Sequence, residues 1–238
     1  SRFARCVRKG RVEKHTGELR LGVDLGTANI VLSVVDSRNR PVAGAWQHST
    51  VVRDGVVVDW QGAVRAVRHL KEDLEGRLKH RFKTAAVAIP PGIPDGFTKV
   101  FTNVLEACSL DVSEVVDEPV AAARVLGITD GCVIDVGHGT TGVSVLSGGE
   151  VIRSIDEATG GHHMTLVLAG AYRLEYDQAE EMKKSKERQQ DVIGVIRPTL
   201  EKMATIAADA LRGLDVSMVY LVGGSSSFSN APEVFAQV

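Results

Sequence analysis

Residues 131–147 read GCVIDVGHGTTGVSVLS. Two alternating apolar runs, 131–136 and 142–147, flank a glycine-rich turn, and their period of two predicts a pair of strands. Asp135 stands at the end of the first strand. Gly137 and Gly139 let the backbone come close to an anion, and the turn's N–H groups can point at it. Asp135 and Thr140 add a carboxylate and a hydroxyl for a metal and a phosphate. Gly137, Gly139 and Gly142 also satisfy G-x-G-x-x-G, but the dinucleotide fingerprint needs a helix next. Val143 to Leu146 alternates as a strand, so a Rossmann site is rejected. No G-x-x-x-x-G-K-[ST] loop occurs.

The same pattern stands 111 residues earlier. Residues 19–25 (LRLGVDL) predict a strand ending at Asp24, Gly26-Thr27 breaks it, and 30–35 predict the returning strand. Short strands are expected at 42–46 and 55–59, an amphipathic helix over 61–80 and a buried strand over 84–89. A helix over 95–108, a strand over 112–116 and a helix over 119–126 follow. Beyond the second turn, Gly148-Gly149 predicts a hairpin to a strand over 150–155. Gly160-Gly161 opens a helix over 162–172. Another helix starts near Asp177, with Glu180 to Arg188 as its solvated part. A long helix over 191–213 has Pro198 near its start or at a kink. A strand over 216–222 ends at Gly223-Gly224-Ser225. The expected fold class is α/β with an internal duplication: lobes 19–127 and 128–238, with a ligand crevice at the strands' carboxyl ends. Residues 1–18 are expected to be a solvated or frayed arm, with a docking arm as the alternative.

Lys and Arg number 28 against 30 Asp and Glu, a net charge of −2 that gives no field for nucleic acid. The first twenty residues are locally basic. Three widely spaced cysteines suggest neither a disulfide framework nor a zinc site; Cys108 and Cys132 are expected to be buried thiols, which fits a reducing cytosol. No apolar run reaches the ~20 residues of a membrane helix, and no signal peptide is visible. His162 and His163 are adjacent, so they diverge and do not chelate together. Trp46 and Trp60 are expected to pack, with a partner surface as the alternative.

Four motifs in order carry a resemblance. GVDLGTANI is similar to the first phosphate motif of the superfamily of actin, sugar kinases, DnaK-type chaperones and MreB-type filaments. DEPVAAA (117–123) resembles its first connecting motif, VIDVGHGTTGVSVL its second phosphate motif and VYLVGGSSSF its adenosine motif. VVRDGVVVDWQGAV, AIPPG, DEATGGHHMTLVLAGAY and IRPTLEKMA resemble more closely the EutJ family of bacterial, chaperone-like ethanolamine-utilization proteins encoded with microcompartment components. The resemblance implies the actin-like ATPase fold, two ribonuclease-H-like lobes with reduced outer subdomains and a nucleotide cleft between them. It implies ATP or ADP with Mg²⁺ held by Asp24 and Asp135, largely through waters. Gly26, Thr27, Ala28, Gly137, Gly139 and Thr140 would cradle phosphates, and Glu118 would orient the attacking water. Gly160 and Gly161 would approach phosphate or ribose, Gly223, Gly224 and Ser225 the adenosine, and Glu180 and Lys183 the ribose and base. The implied setting is the cytoplasm or a microcompartment, with shell or enzyme proteins as partners, no nucleic acid or membrane, and a homo-oligomer open.

The chain departs from the chaperones in ways that bear on turnover. Gly142 stands where they carry a second acid, His138 where they carry glycine, and Ser227 where they carry a base-stacking arginine. The stretch from Lys184 to Asp191 is short, and the chain stops soon after the adenosine motif, where relatives continue. Binding with weak or no hydrolysis is therefore expected. A filament-forming scaffold and a small-molecule kinase of the same superfold are the alternatives, the kinase disfavoured by the lack of an acceptor-binding insertion. Glu118 has a second reading as the cap of the helix that follows it.

Overall fold

The computed structural model describes residues 2–228 and 230–238, and the chain divides into two units. The first holds residues up to 89 and 93–117, the second 90–92 and 118–238.

In the first unit, α1 (Arg2–Arg8) precedes a meander of β1 (Arg20–Leu25), β2 (Asn29–Val35) and β3 (Pro41–His48). The short strands β4 (Val52–Arg53) and β5 (Val56–Val57) pair as a hairpin. Then come α2 (Trp60–Leu78), β6 (Thr84–Ile89), α3 (Asp95–Glu106) and β7 (Asp111–Asp117). The sheet runs β3-β2-β1-β6-β7, with β6 and β7 parallel to β1. Register sets the core: Leu21 faces Val34, Val23 faces Leu32 and Leu25 faces Ile30, all buried. Alternation puts these side chains on one face, packed with Val64, Val67, Leu70 and Leu74 of α2 and Phe101, Val104 and Leu105 of α3. Asp24 and Gly22 alternate onto the other face. Asp59 caps α2, accepting from the Gly62 N–H at 2.8 Å.

In the second unit, α4 (Glu118–Leu126) precedes β8 (Gly131–Val136), β9 (Thr141–Ser147) and β10 (Glu150–Glu157). These are followed by α5 (Gly161–Tyr172), α6 (Tyr176–Lys184), α7 (Gln189–Leu211), β11 (Val219–Val222) and α8 (Ala231–Ala236). The sheet runs β10-β9-β8-β11, with β11 parallel to β8. Strand β8 is covered on both faces. Ile134, Val136, Val143 and Val145 pack with Met164, Leu168, Ile196, Leu200 and Met203, while Val133 and Leu146 pack with Ala123 of α4. The two sheets repeat one strand–turn–strand–strand plan, as expected. Among the described residues no helix is long and apolar enough to cross a membrane.

Four expectations change. The basic arm contains a docked helix: Cys6 is fully buried, its thiol donates to the Val42 carbonyl, and Phe3 and Val7 crowd Gly44. The i, i+3, i+4 spacing of Phe3, Cys6 and Val7 makes this face. The unit boundary falls at Asp117 rather than 127, because Ala123 packs with the second sheet. Trp46 is 50% and Trp60 43% exposed: Trp46 lies on β3, the edge strand of its sheet, and Trp60 lies a turn before the packed stripe of α2. The charged stretch from Glu180 is only partly solvated, since Lys183 is 7% exposed. Cys108 and Cys132 are buried as expected, with burial pushing the Cys132 thiol up to about 12.

Candidate nucleotide-binding site

In the first unit the strand end and turn stand as expected. Asp24 sits on β1 opposite Val31, and Gly26, Thr27 and Ala28 form the turn into β2. A Cβ on Gly26 would stand 2.8 Å from the Asn29 carbonyl and 3.4 Å from Asp24 Oδ1, so only glycine permits this turn. The Ala28 carbonyl accepts from the Ser49 N–H at 3.0 Å, which fixes its far side.

The second unit brings its three motifs together. Asp135 ends β8 and pairs with Gly142; the Gly137 N–H closes the turn on the Thr140 carbonyl at 3.0 Å. The start of α5 docks on this turn. The Gly161 N–H donates to the Gly137 carbonyl at 2.9 Å and the His162 N–H to the His138 carbonyl at 2.7 Å. A Cβ on Gly160 would lie 2.5 Å from that His138 oxygen, so the close approach demands glycine. From β11, Gly223 (φ +89°) lies against Asp135 Oδ1 and the Val136 carbonyl, and Ser225 lies against Gly161. Gly224 faces open space, and Thr140 is buried in the turn. Asp135 has no ion-pair partner among the described residues, and burial alone raises its carboxyl to about 6. A desolvated carboxylate at a strand end, ringed by glycine backbone, suits a hydrated divalent cation and phosphate oxygens.

Beneath the turn lies a polar network. The Lys183 ammonium donates to the Gly161 carbonyl and to Thr165 Oγ1, both at 2.8 Å, and pairs with Glu180 at 2.7 Å. Thr165 donates to Glu180 at 2.5 Å, and Lys184 pairs with it at 2.9 Å. Burial opposes ionisation of Glu180, yet these partners hold it at about 2. All three Lys183 donors are thus engaged within the protein, bracing Gly161 from below. Tyr176 links His138 Nε2, at 3.2 Å, to His162 Nδ1, at 2.8 Å. His163 turns elsewhere, accepting from the Gly160 N–H at 3.1 Å. The two histidines diverge as expected, and no metal-binding cluster of His, Cys, Asp and Glu exists among the described residues.

Glu118 is the first residue of α4, so its carboxylate lies at a helix N-terminus. Two features were not anticipated. Asp135, Gly142 and Asp156 lie in register across β8, β9 and β10, which puts Asp156 on the Asp135 face. The space above Gly142 is filled: a Cβ there would stand 2.9 Å from two atoms of the Pro91 ring and 3.3 Å from Pro119. Gly142→Asp is therefore expected to destabilise the fold by about 2–3 kcal/mol without any rise in ATP turnover. Urea melts and a phosphate-release assay check both, and a faster, stably folded variant would refute it.

A family model described as MreB/Mbl protein matches residues 44–217. The ethanolamine utilization protein EutJ of Salmonella typhimurium is 43% identical over 217 residues, 91% of this chain and 76% of that protein. The chain belongs to the EutJ family. The crystal structure of EutJ from Carboxydothermus hydrogenoformans superposes with a TM-score of 0.89 at 42% identity, covering 99% of this chain and 87% of that one. MreB5 of Spiroplasma citri bound to AMPPNP superposes with a TM-score of 0.71 at 16% identity, covering 93% of this chain and 96% of that one. At that identity the likeness shows the fold alone, which is the actin-like fold of MreB and EutJ.

Proposed function

We propose that this chain binds a magnesium–adenine nucleotide through its two aspartate turns and hydrolyses it weakly or not at all. Asp24 and Asp135 hold the cation, largely through waters. Gly26, Thr27, Ala28, Gly137, Gly139 and Thr140 cradle phosphates, and Gly160, Gly161, Gly223, Gly224 and Ser225 approach the sugar and base. Glu180 and Lys183 shape the same region, and Glu118 faces the water that would attack. The observation that carries this reading is Asp135: a carboxylate raised by burial, without a countercharge among the described residues, where three glycine-bearing segments of one unit converge. Magnesium, when bound, would neutralise phosphate charge. The proline-filled corner at Gly142 supports the weak turnover.

Thermal unfolding with Mg-ATP, Mg-ADP, nucleotide with EDTA, or Mg²⁺ alone tests this. At a hundred times Kd the complex gains about 2.7 kcal/mol, so a clear upward shift is expected with Mg-nucleotide only. No shift at millimolar Mg-ATP or Mg-ADP rejects the reading. Turnover is expected far below the roughly 1–100 per second of kinases.

The family match supports a role in ethanolamine utilization; within it, the proposal is a chaperone-like factor acting on microcompartment shell or enzyme proteins in the cytoplasm. A second reading, an MreB-like filament, draws on the family match over residues 44–217. ATP-dependent sedimentation separates the two.

A further inference from the structure

The chain of His138, Tyr176 and His162 is not explained by the nucleotide contacts above. His138 occupies the phosphate turn itself, between Gly137 and Gly139. Its backbone is pinned by α5, through the His162 N–H on its carbonyl at 2.7 Å and the tight seat of Gly160. Its ring reaches instead to the first residue of α6, where Tyr176 Oη lies 3.2 Å from Nε2. Tyr176 lies 2.8 Å from His162 Nδ1, back on the first turn of α5. The loop thus closes through three elements: turn, α6, α5 and turn again. A phenol has one proton to give and lone pairs to receive, so Tyr176 donates to one imidazole and accepts from the other. This fixes both tautomers together.

We propose that Tyr176 is a positioning residue for the second phosphate turn, holding it through the His138 ring. The inference rests on reading that turn as the nucleotide site. Glycine turns that cradle phosphate are mobile unless something fixes their backbone, and here a side chain of the turn itself adds to the backbone bonds from α5. The ring is engaged by Tyr176 and the Gly137 amide by the Thr140 carbonyl, which leaves the Gly139 amide to the anion. The groups facing His138 are His162 from α5 and Tyr176, Glu180, Lys183 and Lys184 from α6. Burial, then the Lys183 charge, lowers His138 to about 4, so the ring is neutral at pH 7 and able to accept from Tyr176.

Two measurements on the full chain test the proposal. The first needs no nucleotide. In protein labelled with ¹⁵N-histidine, long-range N–H correlation at neutral pH should show one dominant His138 tautomer, assigned by its absence in His138→Gly. Tyr176→Phe should give mixed tautomers. The second is a double-mutant cycle on Mg-ADP affinity. Tyr176→Phe should weaken binding about fivefold, one net hydrogen bond, beside His138. It should weaken binding less than about twofold in the His138→Gly background. His162→Ala, which removes the far end of the chain, should move both readouts the same way. An unchanged tautomer ratio, or equal loss of affinity in both backgrounds, overturns the proposal. A wild-type chain that binds no Mg-ADP rejects the nucleotide reading, and the tautomer measurement then decides on the chain of three alone.

Discussion

Asp135→Asn should make the metal-free protein more stable at pH 8 by about 2–3 kcal/mol while weakening Mg-ADP on the order of 100-fold. The carboxyl is raised from 3.8 to about 6 by desolvation. A raised carboxyl binds its proton more tightly folded than unfolded, so its ionised form opposes folding. That cost is absent below about pH 4, grows as pH rises through 6, and is complete above it. Asparagine keeps the shape without the charge. Denaturant melts in EDTA should therefore show a large gain at pH 8 and a small one at pH 4. Calorimetry should show the Mg-nucleotide signal nearly gone. A variant no more stable than wild type at pH 8 removes the argument that this carboxylate is held in readiness for a cation.

Gly223→Ala should cost more than about 3 kcal/mol and remove nucleotide binding, whereas Gly224→Ala, one residue on, should stay within about 0.5 kcal/mol. At φ +89° an L-residue is strained, and the new methyl would enter the space of Asp135 Oδ1 and the Val136 carbonyl. Neither obstacle is the flexible end of a long side chain, so β11 would have to move off β8. Gly224 has nothing within 4 Å. Chemical denaturation of both variants checks the contrast, and equal stabilities would show that the tight seat of Gly223 carries no weight.

Much of this was legible because it is local. The strands at 84–89 and 131–136 are bounded by turn residues and appear at those residues. The two Asp-x-Gly turns carry their backbone requirements in three or four letters. What escaped depends on partners far along the chain. Lys183 reads as one more surface lysine until its acceptor, the Gly161 carbonyl, is known. The link from His138 to Tyr176 spans 38 residues and has no spacing rule. Asp156 joins the Asp135 face only through strand register. Helix α1 hides its apolar face of three residues among arginines. Helix α4 follows the first unit in sequence, yet Ala123 packs with the second sheet. The last helix, α8, is short, with Ala231 and Val234 as its buried contacts, too little pattern to announce itself.

The two prolines above Gly142 also bear on ancestry and descent. Placing an acid at that position takes more than one codon, because the carboxylate needs room that Pro91 and Pro119 fill. Each first step loses something: an acid beneath intact rings is crowded, and a smaller residue in place of either ring opens a void beside a glycine. On the proposed reading, a lineage with this arrangement reaches brisk hydrolysis only through coordinated changes at these three positions.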